Sequence, residues 1–274
     1  MEKVTLLVVF DPTTENQPAL ARAGKLLAAR KACVHLFGAI YEELDPALNQ
    51  SSEIQARLDA HRERMRAAAE PLIGDNIRLE LEVEWAEDWY DAVLRASRRV
   101  APGAVFKATF SHTPRSRALS RTSDWTLLRE SGLPLLLARD GFERDTPTVL
   151  AAVDLQSPKR SYQALNAQVI EFAQNVLDVG IAEVHFVNAY RDARLAPERA
   201  DMIEATGVDA AHIHIHRGEP EEVIVQKARA INASLVVMGH SARTGLTAAL
   251  AGNTVEKVLD QLECDVLSMP LIAD

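Results

Sequence analysis

The chain has 274 residues, 47% hydrophobic and 25% charged, with a formal net charge of -9. This length and balance suit one large or two small globular domains with a real core. The negative charge argues against nucleic acid or an anionic membrane surface as a partner, and no run of eighteen apolar residues offers a membrane span. The cysteines, Cys33 and Cys264, are far apart without metal-ligand spacing, which fits a reduced, cytoplasmic setting better than a disulfide framework.

In chain order, the apolar run from Val4 to Phe10 that ends at Asp11 reads as a strand, not a signal peptide. An apolar run without alternation marks a strand buried on both faces, as in parallel sheets covered by helices. A helix is expected at residues 17–30, a second strand at 34–39 and a long helix at 49–74. In that helix Ile54, Leu58, Met65, Ala69 and Leu72 fall on one stripe. A strand at 77–85, a helix at 87–99, a strand at 104–108, a helix at 124–130 and a strand at 133–138 complete the first half. A polar linker with Gly141 and Pro147 follows.

The second half repeats the plan, with strands at 148–153, 184–189, 211–217, 235–238 and 265–269. Its helices are expected at 162–179, 219–231 (Pro220 in the first turn) and 255–262. Val184-His185 answers Val34-His35 on the second strands, the clearest sign of a repeat. Alternating strand and helix implies βαβ units. The fold class is therefore α/β, two tandem doubly wound parallel five-stranded sheets with helices on both faces, with domains at 1–139 and 147–274. The two last strands are apolar and lie at sheet edges, so they are expected to pair and make the tandem an intramolecular pseudo-dimer. Between Tyr190 and Ala211 there is room for only a short second helix, with an irregularity expected between Arg191 and Asp201. Either the second copy is trimmed or a segment is lacking there.

Open parallel sheets bind ligands beyond the carboxyl ends of their strands, at the switch in strand order. Asp11 and Asp154 end the first strands and sit at that crevice, or else merely cap their loops. In the second half Gly239, Gly245 and Gly252 punctuate a loop that leads through Asn253 and Thr254 into a helix. Such a loop can aim backbone N–H groups at phosphate oxygens. The competing reading makes Asn253 an N-cap and Glu256 the partner of a capping box. The aligned first-half loop has no glycine. Its Lys107, Arg115, Arg117 and Arg121 could hold an anion but more simply form a solvated basic loop. His212, His214 and His216 alternate on an edge strand. With no carboxylate or cysteine nearby in sequence, no metal site is expected there, and His35 and His185 read as structural.

The second-half loop resembles the nucleotide loop of universal stress proteins, a glycine, two residues, a second glycine, nine residues, then Gly-Ser or Gly-Thr. Gly239 fills the first position and Gly252 the third, while Ala242 stands at the second and Asn253 replaces the hydroxyl residue. Asp11-Pro12, Gln17-Pro18-Ala19-Leu20, Asp124-Trp125 and the Gly245…Gly252-Asn253-Thr254 stretch resemble the tandem E-type members. The resemblance implies a flavodoxin-like or adenine-nucleotide-hydrolase-like fold and a cytoplasmic stress-response protein with no catalytic constellation. It also implies ATP, with Mg2+, in the second half only, on Asp154, Gly239, Ala242, Gly252, Asn253 and Thr254. A ligand-free scaffold is the alternative. Slow ATP hydrolysis is the weakest reading, because Asp154 supplies one Mg2+ ligand and no second acidic residue lies near the loop. A homodimer is compatible with all three.

Overall fold

The computed structural model describes residues 4–29, 31–45, 49–109, 123–141, 147–240 and 254–271. The chain divides into two compact units, with the boundary between Asp140 and Gly141.

The first unit runs β1 (Val4–Val9), α1 (Pro18–Leu27), β2 (Ala32–Ile40), α2 (Gln50–Ala69), β3 (Ile77–Trp85), α3 (Trp89–Val100), β4 (Ala104–Thr109), α4 (Ser123–Glu130) and β5 (Leu135–Arg139). Its strands are parallel in the order β3-β2-β1-β4-β5. The second unit runs β6 (Thr148–Val153), α5 (Arg160–Val179), β7 (Glu183–Tyr190), α6 (Arg199–Thr206), β8 (Ile213–Arg217), α7 (Pro220–Ala230), β9 (Leu235–His240), α8 (Thr254–Leu259) and β10 (Asp265–Pro270). Its order, β10-β9-β6-β7-β8, is the same winding, again parallel. The fold is thus α/β and doubly wound in both units. In each, the order switches between the first strand and the fourth, β1 with β4 and β6 with β9.

The central strands carry the cores because both their faces are covered. Leu7, Val8, Leu150, Ala151, Val236 and Val237 are fully shielded from solvent. Helices start where polar side chains satisfy free N–H groups. Asn49 accepts from Ser52 N–H (3.3 Å) ahead of α2, and Asp88 accepts from Asp91 N–H (3.1 Å) ahead of α3. α2 buries Met65 and Ala69 on the expected stripe, together with His61, whose polar ring the apolar pattern passes over. One close approach explains Gly24 of α1. A Cβ there would stand 2.0 Å from the carbonyl oxygen of Leu72, and a backbone atom cannot yield.

Several boundaries differ from those read in the sequence. The strand expected at 211–217 begins at Ile213, because residues 210–212 form a 3-10 turn in which His212 N–H donates to the Asp209 carbonyl (2.9 Å). The strand expected to stop at Met238 continues to His240, so Gly239 lies inside β9. The last helix is shorter, Thr254–Leu259. Between β7 and β8 the chain is continuous and hydrogen-bonded. Asp192 Oδ1 accepts from Arg194 N–H (3.0 Å) over a 3-10 turn at Ala193–Leu195, and α6 follows with eight residues where α2 has twenty.

Candidate functional site

The two first-strand aspartates, equivalent by sequence, have different environments. In the first unit, Asp11 Oδ1 accepts from both the backbone N–H and the hydroxyl of Thr13, at 2.8 and 2.6 Å. The main chain of Asp11 is held by Gln17, whose Oε1 accepts from Asp11 N–H (3.1 Å) and whose amide donates to Asp11 O (2.8 Å). Oδ1 of this carboxylate is thus engaged by its own loop.

In the second unit Asn166 of α5 takes the role of Gln17. Its Oδ1 accepts from Asp154 N–H (3.0 Å), and its amide donates to Asp154 O (2.7 Å). The next residues are pinned as well. Asn188, fully buried in β7, accepts from Leu155 N–H (2.9 Å) and donates to Gln156 Oε1 (2.6 Å), and Gln156 donates to Ala189 O (2.9 Å). The backbone is therefore fixed, yet Asp154 Oδ1 is buried with no hydrogen-bond partner among the described residues. Burial raises the pKa of this carboxyl above its ordinary value of 3.8. A buried acceptor left unsatisfied is costly, and Asp154 follows β6, which pairs with β9 at the switch in strand order where a ligand is expected in this fold.

Gly239 is close by at the end of β9, one residue beyond Met238, which pairs with Ala152. The space its missing side chain leaves is already occupied. A Cβ there would lie 2.4 Å from Cγ and Cδ2 of Leu165 on α5. Its φ is not positive. Close packing of α5 on β9 thus accounts for this glycine. Thr254 opens α8 and is half-buried. Ala242, Gly252 and Asn253, with Gly245, lie outside the described residues, as do Arg115, Arg117 and Arg121 of the first-half loop. Lys107 is engaged, donating to Ala108 O (2.8 Å) with its ammonium 5.1 Å from the Trp89 ring centroid.

His35 and His185 both have a partner at each ring nitrogen. His35 Nδ1 meets Glu80 (3.2 Å) and Nε2 meets Glu82 (2.7 Å). His185 Nδ1 lies 3.0 Å from His214 Nε2, and its Nε2 lies 3.2 Å from Glu183 Oε1, which is also 3.1 Å from His212 Nε2. A carboxylate does stand beside the histidines, delivered by the neighbouring strand. Burial, then Lys227, His185, His216 and Arg199, lower the pKa of His214 to about 4.

The model for the universal stress protein family matches residues 145–270. Universal stress protein E of Photorhabdus laumondii is 29% identical over 96% of this chain and 94% of its own length. A Haemophilus influenzae homolog of universal stress protein E is 28% identical over 98% of both. The second half thus matches the universal stress protein family, and the chain is similar to universal stress proteins E over nearly its full length. Among solved structures, a universal stress protein of Pseudomonas aeruginosa superposes with a TM-score of 0.75 at 25% identity, covering 97% of this chain and 92% of that one. One from Archaeoglobus fulgidus superposes at 0.69 and 18% identity, covering 97% and 96%, a likeness of fold. This similarity supports a stress-response role. Among the described residues no helix is long and apolar enough to cross a membrane.

Proposed function

We propose that this protein is a cytoplasmic stress-response regulator that binds one ATP-type nucleotide, with Mg2+, in its second half alone, and turns it over little or not at all. The observation that carries this reading is the contrast between the aspartates. Asp11 has its acceptor filled by Thr13, whereas Asp154 keeps a buried, unfilled acceptor on a backbone held from both sides. A carboxylate accepts only, so it would pair with an O–H or N–H donor, such as a ribose hydroxyl or an exocyclic amine. Gly252, Asn253 and Thr254 would take the phosphates with backbone and side-chain donors, and Ala242 would hinder that loop if a positive φ is needed there. The same residues fit a slow hydrolase less well, since hydrolysis would need Asp154 to hold Mg2+ instead and the sequence offers no second acidic residue near the loop. The packing of Leu165 over Gly239 favours the ligand-free scaffold in one respect, because it explains a loop glycine without a phosphate.

Denaturing the purified chain and analysing the released small molecules by mass spectrometry tests for a resident nucleotide, and calorimetric titration with ATP and Mg2+ counts the sites. One site per chain is expected. Gly252→Val should abolish binding, and Ala242→Gly should tighten it by about tenfold at most. Asp11→Ala should leave binding intact and lower stability by roughly 1 kcal/mol through the lost contacts to Thr13. Two equivalent sites, or no binding even by the Ala242→Gly variant, would sink the reading, the latter in favour of the scaffold.

A further inference from the structure

We infer that Glu183, His185 and His212 form a binding site for one divalent transition-metal ion of the zinc class, at the outer edge of the second unit's sheet and separate from the proposed nucleotide site. The parallel register, Phe186 beside Ile213 and Val187 beside His214, places residues 183, 185, 212 and 214 on one face of β7, β8 and the turn before β8. Glu183 Oε1 is 3.2 Å from His185 Nε2 and 3.1 Å from His212 Nε2, and the three ligand atoms all lie within 4.8 Å of one another. Metal–ligand bonds of about 2.0–2.2 Å in a tetrahedron set ligand-to-ligand edges of about 3.3–3.6 Å. The side chains therefore stand close to metal-binding distances already. Two imidazoles and one carboxylate suit zinc and its neighbours over Mg2+ or Ca2+, which prefer all-oxygen sites. Three protein ligands leave a fourth position for water or a ligand from solvent.

Accessibility is graded in a way that suits an exchangeable ion. The His185 side chain is 11% exposed and anchors the site, while those of His212 and Glu183 are 31% and 52% exposed and open it to solvent. A neutral imidazole carries one proton, so an ion at Nε2 requires the tautomer protonated on Nδ1, and a proton that joined Nε2 to Glu183 moves to Nδ1 by way of solvent. In His185 that Nδ1 faces His214 Nε2 at 3.0 Å. His214 is thus a positioning residue, accepting that proton and fixing the tautomer that presents Nε2 to the ion.

The first unit shows what the same positions do without such a site. There His35 stands where His185 does, and the neighbouring strand presents Glu80 and Glu82 instead of histidines. Each holds a different nitrogen of the single ring. Those carboxylates are also ion-paired, Glu80 with Arg78 at 2.6 Å and Glu82 with Arg99. Among the described residues, Glu183, His185 and His212 are the one group of three or more that could hold a metal ion.

The test uses the full chain, stripped with a chelator and titrated with Zn2+ against a competing chromophoric chelator, then with Co2+ to read coordination from its visible spectrum. One ion per chain and a tetrahedral Co2+ spectrum are expected. His212→Ala and Glu183→Gln should each weaken Zn2+ binding by about a hundredfold and abolish that spectrum, with circular dichroism unchanged. His212→Asn serves if the alanine variant does not fold. His214→Phe should keep the one-ion stoichiometry and weaken binding by roughly tenfold. No saturable binding by the parent, or His212 and Glu183 variants that match the parent in affinity and spectrum, would overturn the site. Nucleotide titration of these variants should match the parent, so the outcome is independent of the nucleotide reading.

Discussion

Asp154→Asn is expected to yield a protein more stable than the parent at neutral pH that has lost its nucleotide. The two effects share one origin. The carboxylate is held in a buried place, its Oδ1 without a partner among the described residues, by a backbone that Asn166 and Asn188 fix from either side. Removing the charge removes the desolvation that raises this group's pKa. The gain is of the order of 1 kcal/mol, or a rise of about 2–4 °C in Tm for a chain of this size. An amide also turns one acceptor into a donor, so a nucleoside O–H or N–H that the carboxylate would accept meets a weaker or repulsive partner. Binding should fall by at least about tenfold, the equivalent of one charge-assisted hydrogen bond.

The pH dependence distinguishes burial of a charge from other causes. The folded-state pKa of Asp154 lies above the unfolded 3.8. Between the two values the folded chain binds more protons, so this group's contribution to stability falls as pH rises through the folded pKa. The penalty is fully present above the folded pKa and absent well below 3.8. The Tm advantage of Asp154→Asn should therefore shrink on acidification and vanish well below pH 3.8. A variant less stable than the parent at pH 7, or an advantage constant with pH, would mean that the carboxylate is stabilised in place and not reserved for a ligand.

The parts of the fold visible in the sequence are those dictated by local pattern. The uninterrupted apolar runs at 4–10, 148–153 and 235–238 could only be strands covered on both faces, and their repetition implied two copies of one sheet. Asp154 was equally visible, since an acidic residue ending a first parallel strand has a known place in the fold. Its difference from Asp11 was not. That difference depends on Thr13, adjacent and polar in one copy, and on Asn188, which comes from another strand in the other copy. The histidine cluster shows the same limit. His212, His214 and His216 were read without a carboxylate because none is near in sequence, and Glu183 joins them only through the β7–β8 register. The alternation Glu183-Val184-His185 on one strand and His212-Ile213-His214 on the next is the available signal, and the 3-10 turn at 210–212 is not legible from it.

The last expectation concerns Gly239, where the sequence motif and the packing give rival reasons for one residue. If packing is the reason, Gly239→Ala forces a methyl to within 2.4 Å of two carbons of Leu165, a buried side chain on α5. Overpacking of this kind costs about 1–3 kcal/mol. Leu165→Ala alone opens a cavity and costs about 2–5 kcal/mol. In the Leu165→Ala background the new methyl enters vacated space, so Gly239→Ala should then be nearly neutral or slightly stabilising. The two substitutions should couple by about 1–3 kcal/mol, read from urea midpoints of the four proteins. Nucleotide titration of the same four supplies the other axis. Should Gly239 serve a phosphate, Gly239→Ala would weaken binding whether or not Leu165 is present, and the stability cycle would show little coupling. Packing predicts instead that binding in the double variant recovers along with stability, because the β9 end returns to its place once the crowding is relieved.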